Sequence, residues 1–301
     1  MYYFIVNPSA HSRKNRKIWI RVRNELNQRG ILYRAFRTEY PGHAKRLAEA
    51  ISRKDPHAVI AAVGGDGTVH EILSGLVNLD TVTFGLIPAG SGNDFARGMG
   101  IPSKPLPALA AILDPSRIVR MDVGRTDAGR FGVSCGIGLD AAVCHQALTS
   151  PVKGVLNALG LGSLTYALIA VKLFASYRPE SLSILLNTGE ELSFPRAYFA
   201  AAMNQRFEGG GFMMTPKARP DDGELSLIIA EEMPRLLLAL AFPLAKFGLH
   251  TRVRGVHFVN CRSAVLTSGE PSCVHLDGDS GGIRRTLSVE LESEKLQVIT
   301  A

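Results

Sequence analysis

The chain has 301 residues, 46% apolar and 20% charged, with a formal net charge of +7 and a pI near 9.4. That length suits two modest domains or one large one, and the composition supports a packed core, which excludes a disordered or low-complexity protein. A basic balance attracts nucleic acid, anionic membrane or anionic ligands without choosing among them.

The first 120 residues alternate between strand and helix patterns. An apolar run at 2–6 ends at Asn7-Pro8. A helix pattern over 14–29 carries the one dense basic run (Arg13, Lys14, Arg16, Lys17, Arg21, Arg23) and closes at Gly30. A strand at 31–36, a helix at 44–53, a strand at 57–63, a helix at 68–77 and a strand at 83–87 follow. This alternation predicts an α/β domain with a parallel sheet, whose ligands bind at the carboxyl ends of the strands. After about residue 121 strands dominate, at 131–137, 181–186, 197–203, 224–230, 256–260, 264–267, 286–291 and 296–300. Helix patterns interrupt at 140–149, 155–174 and 233–249. The expected division is 1–122 and 123–301, with the last strand able to return to the first domain. Neither 155–174 nor 234–249 is a clean run of about 20 apolar residues, so no spanning helix is expected. Each reads as a buried helix, a wall of a lipid cleft or a surface-lying segment. Cys135, Cys144, Cys261 and Cys273 make no CxxC pair and no zinc spacing. They read as reduced thiols, and with no signal-peptide pattern at the N-terminus this suggests the cytoplasm.

Five motifs carry chemistry. The first is Gly64-Gly65-Asp66-Gly67-Thr68-Val69-His70-Glu71, directly after an apolar strand. Adjacent glycines admit a close backbone approach, Thr68 and Glu71 stand at capping-box spacing, and a helix N-terminus after a glycine turn is an anion site. Asp66 beside phosphates would repel them unless a cation bridges, so it points to Mg2+. The second is Gly90-Ser91-Gly92-Asn93-Asp94, one strand later, with Asn93 or Asp94 as a cap for the helix that follows. Third is Asn7-Pro8-Ser9 at the end of the first strand. Fourth is Glu208-Gly209-Gly210-Gly211-Phe212, then Asp221-Asp222-Gly223-Glu224, an acidic turn suited to a hard cation. Fifth is His275-Leu276-Asp277-Gly278-Asp279, two carboxylates suited to a base and an orienting partner. Each alone also reads as a plain capped or Asp-Gly turn.

Taken in order and spacing, GGDGTVHEIL, IPAGSGNDFARGMG, FEGGGF with DDGEL, and HLDGD resemble the lipid kinase family of soluble bacterial diacylglycerol kinases, YegS-like kinases and sphingosine kinases. GGDGT alone is shared with NAD kinases and phosphofructokinases; AGSGNDFA and DDGEL separate the lipid kinases from them. The resemblance implies a Rossmann-like nucleotide domain, phosphofructokinase- and NAD-kinase-like, then a β-sandwich-like lipid domain, with the active site between them. It implies ATP held by Gly64 to Glu71 and by Gly90, Ser91, Gly92, Asn93 and Asp94, with Asn7, Ser9 and Thr38 lining the pocket and Asp66 linked to Mg2+. It implies Asp277 as the base that takes the lipid hydroxyl proton, with Asp279 where the family has Glu. It also implies a structural Mg2+ on Asp222 with backbone oxygens of Arg219 and Glu224. The implied acceptor is a membrane lipid, diacylglycerol first, phosphorylated by a cytoplasmic enzyme docked peripherally on the membrane. Departures are the missing glycines after Ser9, His70 in place of a frequent Asn, and Asp279. A kinase for a soluble acceptor and a non-catalytic lipid- or nucleotide-binding protein remain as alternatives. Nucleic acid is set aside because no helix-turn-helix or zinc-finger pattern is present. Exposed strand edges admit a homodimer.

Overall fold

The computed structural model describes residues 1–8, 13–149, 173 and 176–301. Ser9 and the 155–172 part of the expected helix lie outside the described residues. The chain divides into one unit of Met1–Val123 with Ser293–Ala301 and a second of Gly124–Glu292.

The first unit is built on β1 (Tyr2–Val6), α1 (Arg13–Gln28), β2 (Tyr33–Arg37), α2 (His43–Lys54), β3 (Val59–Gly64), α3 (Asp66–Gly75), β4 (Thr83–Pro88), α4 (Asp94–Met99), α5 (Pro105–Leu113) and β5 (Arg117–Met121). Its sheet runs β2-β1-β3-β4, all parallel, then β15 (Leu296–Thr300) parallel to β4, then β5 antiparallel at the edge. The inner strands β1, β3 and β4 are apolar on both faces because helices cover both. Phe4, Val6, Ala61, Val63 and Ile87 pack against Ile18, Val22 and Leu26 of α1 and Leu109 and Ile112 of α5. On the alternate register Phe84 meets Phe95 of α4 edge-on, ring centroids 5.8 Å apart. The last strand thus sits inside the first unit's sheet. Lys295 pairs with buried Asp122 at 2.9 Å, and Glu294 accepts the Leu79 N–H at 3.0 Å.

The second unit is antiparallel. Its strands are β6 (Gly124–Thr126), β7 (Gly129–Phe131), β8 (Ser134–Gly138), β9 (Glu180–Leu186), β10 (Glu191–Met203), β11 (Leu225–Glu231), β12 (Val256–Cys261), β13 (Ser263–Leu276) and β14 (Asp279–Leu291). Among the described residues its α-helices are α6 (Leu139–Thr149) and α7 (Arg235–Ala245). The expected strand at 131–137 breaks in two, and those at 264–267 and 286–291 are the far ends of one long hairpin, β13–β14. Both β10 and β13 pair with β9 along their first halves and with β8 along their last. That shared pairing folds the sheet around one core of alternating residues, among them Ile137, Ile184, Ala200, Leu227, Leu266 and Leu287.

Leu296 is fully buried in the returning strand. Leu296→Ala should therefore destabilise the protein by about 2–5 kcal/mol, the cost of a core cavity, read as a lowered denaturation midpoint.

Candidate active-site elements

In the first unit the register sets the site. Val6 lies opposite Val63, and Gly64 opposite Pro88, so β1, β3 and β4 end at one height. The ladder continues past their ends: Asn7 N–H donates to Val63 O at 3.0 Å, Ala89 N–H to Gly64 O at 2.8 Å and Thr38 N–H to Val6 O at 2.9 Å. Asn7, Thr38, the Gly64 turn and the Gly90 turn therefore share the carboxyl edge of the sheet.

The two glycine turns interlock. A β-carbon on Gly65 would lie 2.8 Å from the Gly90 Cα, and one on Gly90 would lie 2.6 Å from the Gly65 Cα. A β-carbon on Gly64 would lie 2.4 Å from Thr68 Oγ1. These glycines keep the two turns in contact rather than adopting positive φ. The left-handed residue is Asn93, at φ 52°. Its side chain accepts the Gly90 N–H and donates to the Gly90 carbonyl, each at 2.9 Å, so it braces the turn instead of capping α4. Asp94, buried, pairs with Arg97. Asp66 opens α3 and accepts the Phe95 N–H at 3.0 Å, which ties the first motif to the second. Thr68 Oγ1 accepts from Asn7 Nδ2 at 3.0 Å.

The predicted capping box does not form. Helix α3 begins at Asp66, two residues early, and Thr68 is committed to Asn7. Glu71 turns instead to α2, whose N-terminus has only Gly42 as cap, and accepts the Gly42 and Ala44 N–H groups at 2.8 and 3.0 Å. Val69 is buried in the core, so its side chain serves packing. His70 and Gly92 are half-buried and Ser91 is exposed at the turn. Lys17 and Arg21, one helical turn apart on α1, line a cavity of about 460 Å³ with Gly90, Asn93 and Ser103. The basic run announced them, but their pairing with the Gly90 turn is a tertiary fact.

In the second unit, Asp277-Gly278 is the two-residue turn of the β13–β14 hairpin, both residues left-handed at φ 51° and 85°. The Asp277 carboxylate accepts three backbone N–H groups, Gly132 at 2.9 Å, Val133 at 2.7 Å and Ser134 at 3.1 Å. Asn204 and Gln205, both fully buried, each donate to the Gly132 carbonyl at 3.1 Å and hold that peptide from behind. Asp279, half-buried, opens β14 two residues from Asp277.

Behind this turn lies a buried charge cluster that the sequence did not announce. The fully buried His275 ring presents Nε2 to Asp140 at 3.1 Å and to Glu208 at 3.3 Å. Burial works against its charge, but the Glu208 charge, the Asp140 hydrogen bond and charge, and the Asp277 charge outweigh it and raise the pKa to about 9. The Gly278 N–H contact to Nδ1 is 3.4 Å, long for a hydrogen bond, and yields to the charged ring. Glu208 is delivered by the triglycine loop: Gly209, Gly210 and Gly211 are all left-handed, and Glu208 and Phe212 exchange backbone hydrogen bonds of 2.9 and 3.0 Å across it. Gly136 has no room for a side chain here, since a β-carbon would lie 2.2 Å from Asp140 Oδ2.

The acidic turn stands apart from these groups. Along β11, β10, β8 and β13 it is three strand spacings from Asp277, about 14 Å. Asp222 Oδ1 accepts the Glu224 N–H at 3.1 Å, Arg219 pairs with Asp221 at 3.4 Å, and Glu224 accepts from Asn260 at 3.0 Å. Among the described residues no three His, Cys, Asp or Glu side chains converge as a metal cage. A cation there would rest on Asp222 and backbone carbonyls.

The chain matches the family models "Diacylglycerol kinase catalytic domain" over residues 1–126 and "YegS C-terminal NAD kinase beta sandwich-like domain" over 133–300. It is 31% identical over 292 residues to the lipid-kinase-like protein YtlR of Bacillus subtilis (strain 168), covering 93% of this chain and 94% of that one. It is 25% identical over 279 residues to a diacylglycerol kinase of Staphylococcus saprophyticus, covering 92% and 88%. A crystal structure of a diacylglycerol-kinase-like protein from Bacillus anthracis str. Sterne shares the fold, with a TM-score of 0.78 at 21% identity, covering 100% of this chain and 96% of that one. An NAD kinase from Archaeoglobus fulgidus, solved with ATP, shares it more distantly, with a TM-score of 0.56 at 12% identity, covering 100% and 94%.

Gly65→Ala or Gly90→Ala should part the two turns, costing about 1–3 kcal/mol in a denaturation series. ATP should raise the melting temperature of the wild type, and either substitution should abolish that rise. For His275, the folded pKa lies above the unfolded value, so its contribution is fully present below about pH 6.5, falls as pH rises and is gone above about pH 9. The wild type should lose about 3 kcal/mol of stability across that window. His275→Asn should show a flat profile there, checked by thermal melts from pH 6 to 10.

Proposed function

The chain belongs to the lipid kinase family of bacterial diacylglycerol kinases and YegS-like kinases, and we propose that it transfers the γ-phosphoryl group of ATP to the hydroxyl of a membrane lipid, diacylglycerol before other acceptors, with Mg2+. The observation that carries this reading is the interlock of the Gly65 and Gly90 turns at the strand carboxyl edge, with Asp66 held inside it.

Phosphoryl transfer asks the protein for position and charge neutralisation more than for covalent chemistry. The α3 N-terminus supplies backbone amides and the positive end of a helix dipole for the phosphates. Asn7 holds Thr68 at that end, and Lys17 and Arg21 add charge beside the Gly90 turn. The Phe95 N–H keeps the Asp66 carboxylate aimed at the turn, a fit for a cation. Mg2+, when bound there, neutralises charge building on the phosphates. Asp222 with the Arg219 and Glu224 carbonyls is proposed as a second, structural cation site.

Of the two carboxylates at the hairpin turn, Asp277 accepts three amides, which aim it and leave it acceptor capacity for a substrate hydroxyl. It is the proposed proton acceptor, with Asp279, one methylene shorter than the usual glutamate, as the partner carboxylate. The acceptor is taken from a membrane surface by an enzyme that docks on it without crossing it: among the described residues no helix is long and apolar enough to span a bilayer.

Labelled γ-phosphate from ATP should appear on diacylglycerol in mixed micelles, measured beside ceramide, a sphingoid base and a polyprenol. Asp66→Ala and Asp277→Asn should each lose at least about 100-fold in rate, the usual worth of a positioned acid–base group or cation ligand. Asp277→Asn should lose stability as well, through its three amide bonds. An active Asp277→Asn beside an inactive Asp279→Asn would move the base to Asp279. No labelled lipid under any condition, with ATP bound, would sink the catalytic reading.

A further inference from the structure

Helix α7 is apolar on both sides. Leu238, Ala241 and Ala245 face the second unit and are buried with Met233, Tyr198 and Leu139 around Leu238. The opposite side is no more polar. Leu236, Leu240 and Pro243 recur at steps of four and three residues, which places them on one face, and Phe247 follows in the turn past the helix end. Leu236 is 74% exposed, Leu240 55% and Phe247 73%, with Pro243 also exposed and Leu249 following close by. An ordinary surface helix turns such a stripe inward and covers its outer side with charge. A row of large apolar side chains held in water is a mark of an interaction surface.

The chemistry at the ends of the stripe chooses the partner. Arg235, the first residue of α7, also lines a cavity of about 720 Å³ together with Arg178, Arg196, Tyr177 and Glu232. Arg196 is paired with Glu232 at 2.9 Å, so three arginines face one carboxylate and the cavity keeps a positive excess. Past the other end of the stripe, Arg252 and Arg254 are exposed. Apolar side chains flanked by arginines, beside a basic cavity wide enough for a headgroup, match an anionic bilayer. The stripe enters the acyl boundary while guanidinium groups take lipid phosphates at headgroup depth. From Leu236 to Phe247 the stripe is about 17 Å long at helical rise, which suits a helix lying in the interface plane and is too short to cross it.

We propose that the outer face of α7, with the Arg178–Arg196–Arg235 cavity beside it, is the surface by which this protein docks on anionic phospholipid membranes. It deepens the reading of a membrane lipid as acceptor by naming where the bilayer is met.

The test is sedimentation of the full chain with phosphatidylcholine vesicles, with and without phosphatidylglycerol, in the absence of nucleotide. The wild type should bind the anionic vesicles at least about tenfold more tightly, and the preference should shrink as salt is raised. Leu236→Asp with Leu240→Asp should weaken that binding at least about tenfold, and Arg178→Ala with Arg235→Ala should remove most of the preference for phosphatidylglycerol. Phe247→Trp, with Trp19 replaced by Phe, should give fluorescence that shifts to the blue on anionic vesicles alone. Equal binding to both vesicle types, or variants that bind as well as the wild type, would overturn the proposal. A change of oligomeric state in the leucine variant on size exclusion would give the face to a second copy, and a large drop in its melting temperature would give it to another part of the chain; both overturn it. Neither nucleotide nor turnover is read, so an inactive protein that docks leaves this surface standing. An active kinase without vesicle preference removes it and leaves the function.

Discussion

The α-carbons of Gly65 and Gly90 pack against each other with no space for a β-carbon on either, and most of the first unit's chemistry follows from that contact. Parallel strands β3 and β4 end in register, so two turns leave the sheet side by side. A β-carbon at Gly65 or Gly90 would force them apart. With hydrogens alone between them, the turns close enough for Asp66 to reach across to the Phe95 amide and for Asn93 to brace Gly90. The glycines are therefore needed for backbone packing against backbone before any ligand is considered. Their φ angles are ordinary; only Asn93 is left-handed, and an asparagine tolerates that region because its short side chain bonds back to the turn.

The second unit reaches rigidity by the opposite route, through buried charge. His275 sits in full burial between carboxylates from two other elements, Asp140 at the head of α6 and Glu208 at the head of the triglycine loop. Taking three charges out of water is costly, and an apolar trio of similar volume would often be as stable or more so. What the ions add is direction. An imidazolium with both carboxylates on one nitrogen fixes where β13 ends, and the Asp277 turn begins two residues later. Removal of His275 would leave two buried carboxylates uncompensated, so the three elements are held together through it. The burial of Cys135 among the same carboxylates acts in the same direction: burial first, then their negative charge, pushes its thiol well up and keeps it neutral.

Local sequence patterns made much of this legible. A strand followed by Gly-Gly-Asp-Gly-Thr gave the turn and helix at Gly64, and Asp277-Gly278 near a strand end gave a turn there, though not the long hairpin it closes. Alternating elements gave the α/β class of the first domain, and frequent short strands gave the β-rich second one. What stayed hidden were groups whose partners are remote in sequence. Glu71 stands at capping-box distance from Thr68, and nothing local says that α2, folded beside it, has a stronger need for its carboxylate. His275 reads only as the first residue of the Asp277 motif, because Asp140 and Glu208 are remote in sequence. Asn204 and Gln205 follow an apolar strand and read as its polar end, yet both are buried and support the peptide that grips Asp277.

The two routes to rigidity also divide what each unit can recognise. Backbone amides at a helix start bind any phosphate in the right place, whatever the side chains around them, so a nucleotide site made of interlocked glycine turns tolerates change nearly everywhere except at the glycines. A turn held by His275, Asp140 and Glu208 depends on particular side chains at particular depths, and α7 carries its apolar stripe on positions that no core contact constrains. The side-chain-built unit is therefore where acceptor choice and membrane contact can drift without disturbing the phosphate end. A chain that keeps GGDGT and GSGND intact while carrying Asp279 at the hairpin fits that division: on the proposed reading, phosphate binding rests on backbone and acceptor choice on side chains.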